Sequence, residues 1–86
     1  MNSVEAETLA LKALAYLAHS PEDLERFVAL SGVTSADLRA RADDPEILAA
    51  VLDFILTDDG RVTGFCEEAG IDPRALHAAR RALPGA

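Results

Sequence analysis

The stretch Asp44-Pro45-Glu46-Ile47-Leu48-Ala49-Ala50-Val51-Leu52-Asp53-Phe54-Ile55-Leu56 decides the fold class. Asp44 is a helix cap. Pro45 suits the first helical position, where a missing N–H breaks no intrahelical bond, and Glu46 sets a carboxylate near the positive end of the helix dipole. From residue 47 to 56 the only polar side chain is Asp53. A helix apolar on almost every side is enclosed by other elements, so this segment predicts the centre of a helical bundle.

Working outward, the same punctuation recurs. Asp58 caps a following helix that carries Val62, Phe65, Cys66 and Ala69 and stops at Gly70. Gly60 and Gly64 weaken it, by ~1 kcal/mol each relative to Ala if they lie in its interior. Asp72-Pro73 opens a last helix with Leu76, Ala79 and Leu83 on one face, ended by Pro84-Gly85. Upstream, Asn2 with Glu5 predicts a capping box before a nearly apolar helix over residues 6–18. Ser20-Pro21-Glu22-Asp23 starts a second helix bearing Leu24, Phe27, Val28 and Leu30, with Gly32 as its stop. Thr34 or Ser35 caps a short third helix through Leu38 to about Ala42. No segment alternates with period two over strand length, so no strand is expected. The expectation is an all-α bundle of about six short helices in one domain over residues 1–86.

The two ends of this pattern resemble each other at an offset of 38. Leu14, Phe27, Gly32, Leu38 and Ala40 match Leu52, Phe65, Gly70, Leu76 and Ala78. Leu9, Tyr16, Leu17, Leu24 and Val33 align with Ile47, Phe54, Ile55, Val62 and Ile71, and the caps Ser20 and Thr34 with Asp58 and Asp72. Identities are few, but they fall at helix stops and core positions. Two readings follow: two three-helix units about a pseudo-twofold axis, or two unrelated runs of the same helical grammar. In the first, the helices over 6–18 and 45–57 form the centre, with Leu14, Leu17, Leu52 and Ile55 inaccessible. Lys12 and Asp53, the lone charges in those stretches, then face each other or, as favoured, sit on solvated edges.

Composition bounds the function. Half of the 86 residues are apolar, mostly Ala and Leu, which excludes a disordered chain. Cys66 is the only cysteine, so no intramolecular disulfide forms. Residues 1–7 are acidic where a signal peptide is basic, and apolar runs of about ten residues are too short for a membrane span of ~20. These features point to a cytoplasmic protein. Net charge is −7, unevenly spread: residues 1–71 hold 14 acids and 5 bases, whereas residues 72–86 set Asp72 against Arg74, Arg80 and Arg81. An acidic body repels phosphate backbones.

Both Gly stops sit in a helix-turn-helix-like spacing, and the last helix gathers the chain's basic patch: Arg74, His77, Arg80 and Arg81. These four are the candidate contacts for an anion or a partner. Their bland alternative is complementing the dipole at a helix C-terminus. Cys66 reads as a small core residue, His19 as a group serving the last carbonyls of the first helix, and His77 as a surface residue. Asp58-Asp59-Gly60 begins like a calcium loop, but its twelfth position is Ala69 instead of Glu. No catalytic, metal or cofactor residues are therefore expected, and no enzyme. The leading expectation is a small protein-interaction or regulatory module whose partner is another protein. The alternative is a nucleic-acid-associated, helix-turn-helix-like protein using the C-terminal basic helix.

The segments over residues 6–14, 24–32, 37–39, 48–56 and 68–73 resemble a family of short bacterial proteins catalogued as domain of unknown function 3572, known mainly from alphaproteobacteria. The motifs shared are packing motifs. The resemblance implies a bacterial, cytoplasmic protein and transfers no functional residue.

Overall fold

The computed structural model describes residues 1–85. Six helices follow one another: α1 (Ser3–Ala18), α2 (Pro21–Ser31), α3 (Ser35–Ala40), α4 (Pro45–Leu56), α5 (Asp59–Ala69) and α6 (Pro73–Arg81), with no strand among the described residues. Their caps are largely those written in the sequence. Ser20, Thr34, Asp44, Asp58 and Asp72 each accept a backbone N–H from the first turn that follows. Gly32 and Gly70 end α2 and α5 at φ of +77° and +68°, a region open to Gly without strain. The capping box expected at Asn2 is altered. Glu5 donates its N–H to Asn2 Oδ1 at 2.8 Å, but its carboxylate accepts from the Asn2 side-chain amide at 2.9 Å, leaving the Asn2 backbone N–H out. The reciprocal box lies at Thr34 and Asp37 instead.

α1 and α4 form the most extensive helix pair, and α2, α5 and α6 close around them. Leu17, Leu52 and Ile55 are sealed from solvent, as are Phe27, Leu48, Val51 and Leu76. Leu14 departs from expectation and is only partly buried. Leu30 of α2 is 73% exposed, at the rim of a groove against α4.

The offset of 38 is a true structural repeat through four helices. Shifted by 38, the bounds of α2 become those of α5, and the ends of α1 and α4 coincide. His19 and Thr57, which follow those ends, share backbone angles within a few degrees. The aromatic residues settle the symmetry. Tyr16 packs on Phe65 and Phe54 packs on Phe27, both with ring centroids 5.6 Å apart. Each pair is the other shifted by 38, once up and once down. Two crossed contacts of this kind require a twofold relation between the halves. Asp23 and Arg61, themselves 38 apart, meet at 3.3 Å across that axis, and the Arg61 guanidinium lies 4.2 Å over the Phe54 ring.

The symmetry fails at the third helix of each half. α6 runs nine residues and buries Leu76 and Ala79, with Leu83 buried just beyond. α3 runs six residues, stops two short of the expected Ala42, and buries none. Two substitutions account for the difference. Arg41 stands where the second half has Ala79, and a guanidinium does not enter an apolar seam. Ser31 stands where the second half has Ala69 and takes the Val33 N–H on its hydroxyl at 3.1 Å. In the second half the equivalent Ile71 N–H reaches back to the Cys66 carbonyl at 3.0 Å, the closing bond of a Schellman turn. The two linkers therefore leave their glycines at different ψ, −1° at Gly32 and +36° at Gly70, and aim the next helices differently.

Lys12 and Asp53 do not meet. Lys12 faces solvent, and Asp53 is claimed by Arg80 of α6.

Candidate interaction surfaces

The four residues of the basic helix divide into two kinds. Arg74 lies at the start of α6 and folds back on its own cap. Its backbone N–H, Nε and Nη2 all donate to the Asp72 carboxylate, at 2.8, 3.3 and 2.9 Å. Those bonds, from the side chain first and the backbone second, hold the Asp72 carboxyl below the usual carboxylate range. Arg80 lies against the body with its side chain 16% exposed. It grips Asp53 through two bonds, at 2.6 and 3.2 Å, and donates to the Pro84 carbonyl at 2.9 Å. That fork ties the end of α6 to α4. His77 and Arg81 are exposed and enter no ion pair among the described residues. The sequence pattern set Arg74, His77 and Arg81 near one face by spacing and added Arg80 as a member of the same helix; the acids that engage Arg74 and Arg80, at the cap and on α4, were not visible in that pattern.

Cys66 is buried. Burial, aided by the Asp72 charge, pushes its thiol above the usual range, which disfavours the reactive thiolate. His19 follows α1 and caps it through its backbone N–H, to the Tyr16 and Leu17 carbonyls. Among the described residues no three His, Cys, Asp or Glu side chains converge as metal ligands do, and no helix is long and apolar enough to cross a membrane.

The surface carries open grooves, and two of them obey the repeat. One, of about 270 Å³, is lined by Phe27, Leu30, Ala50, Asp53, Phe54 and Thr57 with Ser31. The other, of about 230 Å³, is lined by Phe65, Glu68, Lys12, Ala15, Tyr16 and His19 with Ala69. Position by position, these are the same groove shifted by 38. Shape is kept while chemistry changes: Leu30 is replaced by Glu68, and Asp53 by Ala15.

A third surface was missed by the sequence reading, which set α1 at the centre and allowed it a solvated edge only at Lys12. The buried residues of α1 are Ala6, Leu9, Ala10, Ala13 and Leu17. The opposite face shows Val4, Thr8, Leu11, Ala15 and Ala18, all exposed, at spacings of four and three. Of the four large apolar side chains exposed among the described residues, Val4 (70%), Leu11 (42%) and Met1 lie on or beside this stripe. A groove of about 360 Å³ runs along its edge between α1 and the start of α6. The signal was present: Ala-rich residues 6–18 are apolar all round, and a helix needs only one such side to fill a small core. The equivalent face of α4 is treated otherwise. There Glu46 and Asp53 replace Thr8 and Ala15, and Ala49, the counterpart of Leu11, is 4% exposed.

The sequence model of the family described as "Protein of unknown function (DUF3572)" matches residues 3–86. The chain belongs to that family. No curated protein and no solved structure matches it. In this member of DUF3572 the match spans all six helices, so the α1 stripe and the α6 cations both lie within the family region.

Proposed function

We propose that this DUF3572 protein is a non-catalytic, cytoplasmic interaction module, regulatory in character, and that the exposed stripe of α1 is its contact surface. One observation carries the reading. Val4 and Leu11, two of the four large apolar side chains exposed among the described residues, lie on the same face of the same helix, beside Met1. Isolated exposed leucines need no explanation, whereas a contiguous apolar patch on a small acidic protein marks a binding surface. The engagement of Arg74 and Arg80 by Asp72 and Asp53 favours this reading over nucleic-acid binding. It leaves Arg81 as the Arg of α6 outside any ion pair among the described residues, against a net charge of −7.

Two measurements test the choice. Proteins co-purifying at native abundance are compared for the wild type and Leu11→Glu; a set lost selectively in the variant is expected. Duplex DNA is titrated with the wild type and with Arg81→Glu, which spares the Arg80 fork. Identical co-purification in both chains, with DNA binding that survives physiological salt and disappears in Arg81→Glu, would reverse the proposal.

A further inference from the structure

We infer that the occupant of the α1 stripe is the α1 stripe of a second copy, packed antiparallel about a twofold axis. This rests on the reading of the stripe as a contact surface and adds the identity of the partner.

Three features of α1 point to it. The first is period. Val4, Thr8, Leu11, Ala15 and Ala18 are spaced 4, 3, 4 and 3, the repeat of 3.5 residues by which one helix tracks another. The second is size. The bulky members are Val4 near the N-terminal end and Leu11 at the middle, and the C-terminal end carries only Ala15 and Ala18. An antiparallel pairing sets Val4 opposite Ala15 of the second copy, Thr8 opposite Leu11, and Ala18 opposite the Met1 end. Every layer then joins a large residue to a small one. A parallel pairing stacks Val4 on Val4 at one end and Ala18 on Ala18 at the other, crowding the first and leaving a void at the second.

The third feature is charge. Glu5 and Lys12 are exposed and flank the stripe on the same side. In the antiparallel register each Glu5 comes beside Lys12 of the other copy, and the twofold axis forms this pair twice. A self-complementary patch is what an isologous dimer requires. The groove along that side, bordered by Thr8, Lys12, Ile71 and Ala75, gives the incoming helix room. The internal repeat shows what such a face looks like when it is not used. On α4 the corresponding positions carry Glu46 and Asp53, and Asp53 is bound by Arg80.

The stripe spans 15 residues, Val4 to Ala18, a rise of about 21 Å along the helix. A contact of that length is near the lower end of specific interfaces, so a dissociation constant in the micromolar range is expected.

Sedimentation velocity from about 5 to 500 μM reads the oligomeric state directly, with circular dichroism checking that each variant stays folded. The wild type is expected to pass from monomer to dimer over that range. Leu11→Glu is expected to raise the dissociation constant at least 100-fold, since it buries an unpaired charge in a central layer. Glu5→Lys and Lys12→Glu are each expected to weaken association about tenfold, and the double swap Glu5→Lys/Lys12→Glu to restore it. Restoration is specific to the antiparallel register, because it depends on position 5 meeting position 12. A wild type that stays monomeric at 500 μM overturns the inference. So does a dimer indifferent to Leu11→Glu, or one in which the double swap is no better than the single changes. A monomeric wild type that still loses its co-purifying partners in Leu11→Glu overturns the self-pairing alone and leaves the interaction surface standing.

Discussion

Helices α3 and α6 begin at positions 38 residues apart, after caps that do the same job, and end in different circumstances. α6 carries Leu76, Ala79 and Leu83 into the core and is latched to α4 by Arg80 on Asp53. α3 offers only a partly buried Leu38 and gives out at Arg41. Around them, the four remaining helices keep their twofold relation down to matched aromatic pairs. The contrast shows where a small repeat protein can afford to diverge. Positions at the axis are constrained twice, because each change there alters both halves. Positions at the periphery are constrained once, and a single Arg for Ala is enough to shorten a helix. The relaxed half is also the half whose central helix keeps an apolar outer face.

The largest expected effect compares the equivalent leucines of those two helices. Leu76→Ala removes a fully buried side chain and should cost ~2–5 kcal/mol, a large part of the ~5–10 kcal/mol total of a small domain. Leu38→Ala, on a partly buried mate, should cost less than about half as much. Urea unfolding of the two variants measures both, and equal losses would mean that α3 is docked as firmly as α6.

The aromatic contacts sharpen the other side of the comparison. Double-mutant cycles with Leu at Tyr16 and Phe65, and at Phe27 and Phe54, should each return a coupling of ~0.5–1.5 kcal/mol. The two couplings should agree within ~0.5 kcal/mol, the error of such cycles. A clear disagreement would show that the twofold relation is geometric and not energetic.

A smaller effect tests a local breach of the symmetry. A Cβ on Gly64 would collide with the Tyr16 hydroxyl. At the mate positions Arg26 has its Cβ and Phe54 lacks a hydroxyl. Gly64→Ala should therefore be more favourable in a Tyr16→Phe background than in the wild type, by about 1 kcal/mol. That is the helix-propensity gain that the clash otherwise offsets. Thermal denaturation of the four chains gives the difference, and additive behaviour would contradict the clash.

How much of this was legible in the sequence depends on the kind of information. Caps and stops are local, and Ser20, Thr34, Asp44, Asp58, Gly32 and Gly70 could be read without knowing the tertiary fold. The repeat was visible as aligned core residues, but the crossed aromatic pairs and the Asp23–Arg61 contact needed the third dimension. Burial was over-read for Leu14, because helical spacing says that residues share a face without saying which face meets a neighbour. The candidate site suffered most. Arg74, His77, Arg80 and Arg81 share a helix, but the fate of Arg80 was decided by Asp53, 27 residues away.

The smallest expected effect concerns acid. Asp37 and Asp72 both titrate below the usual carboxylate value, Asp37 through the backbone N–H and then the hydroxyl of Thr34, Asp72 through Arg74. A carboxyl whose folded value is depressed stabilises the fold fully above its unfolded value, near 4, and the contribution is lost as pH falls through the folded value. Asp37→Asn and Asp72→Asn should each be slightly less stable than the wild type at pH 7, and the gap should close below pH ~4. Melting temperatures across that range check it, and a gap that widens in acid would reverse the sign.

The central claim is that four helices form a symmetric, cooperative body while α3 is held loosely against it. Amide hydrogen exchange followed by NMR tests this most directly, because it reads local opening helix by helix. The N–H groups of Leu76 and Ala79 should exchange only with global unfolding, those of α2 and α5 should match each other, and the α3 amide of Leu38 should exchange far faster through local opening. Equal protection of Leu38 and Leu76 would contradict the account.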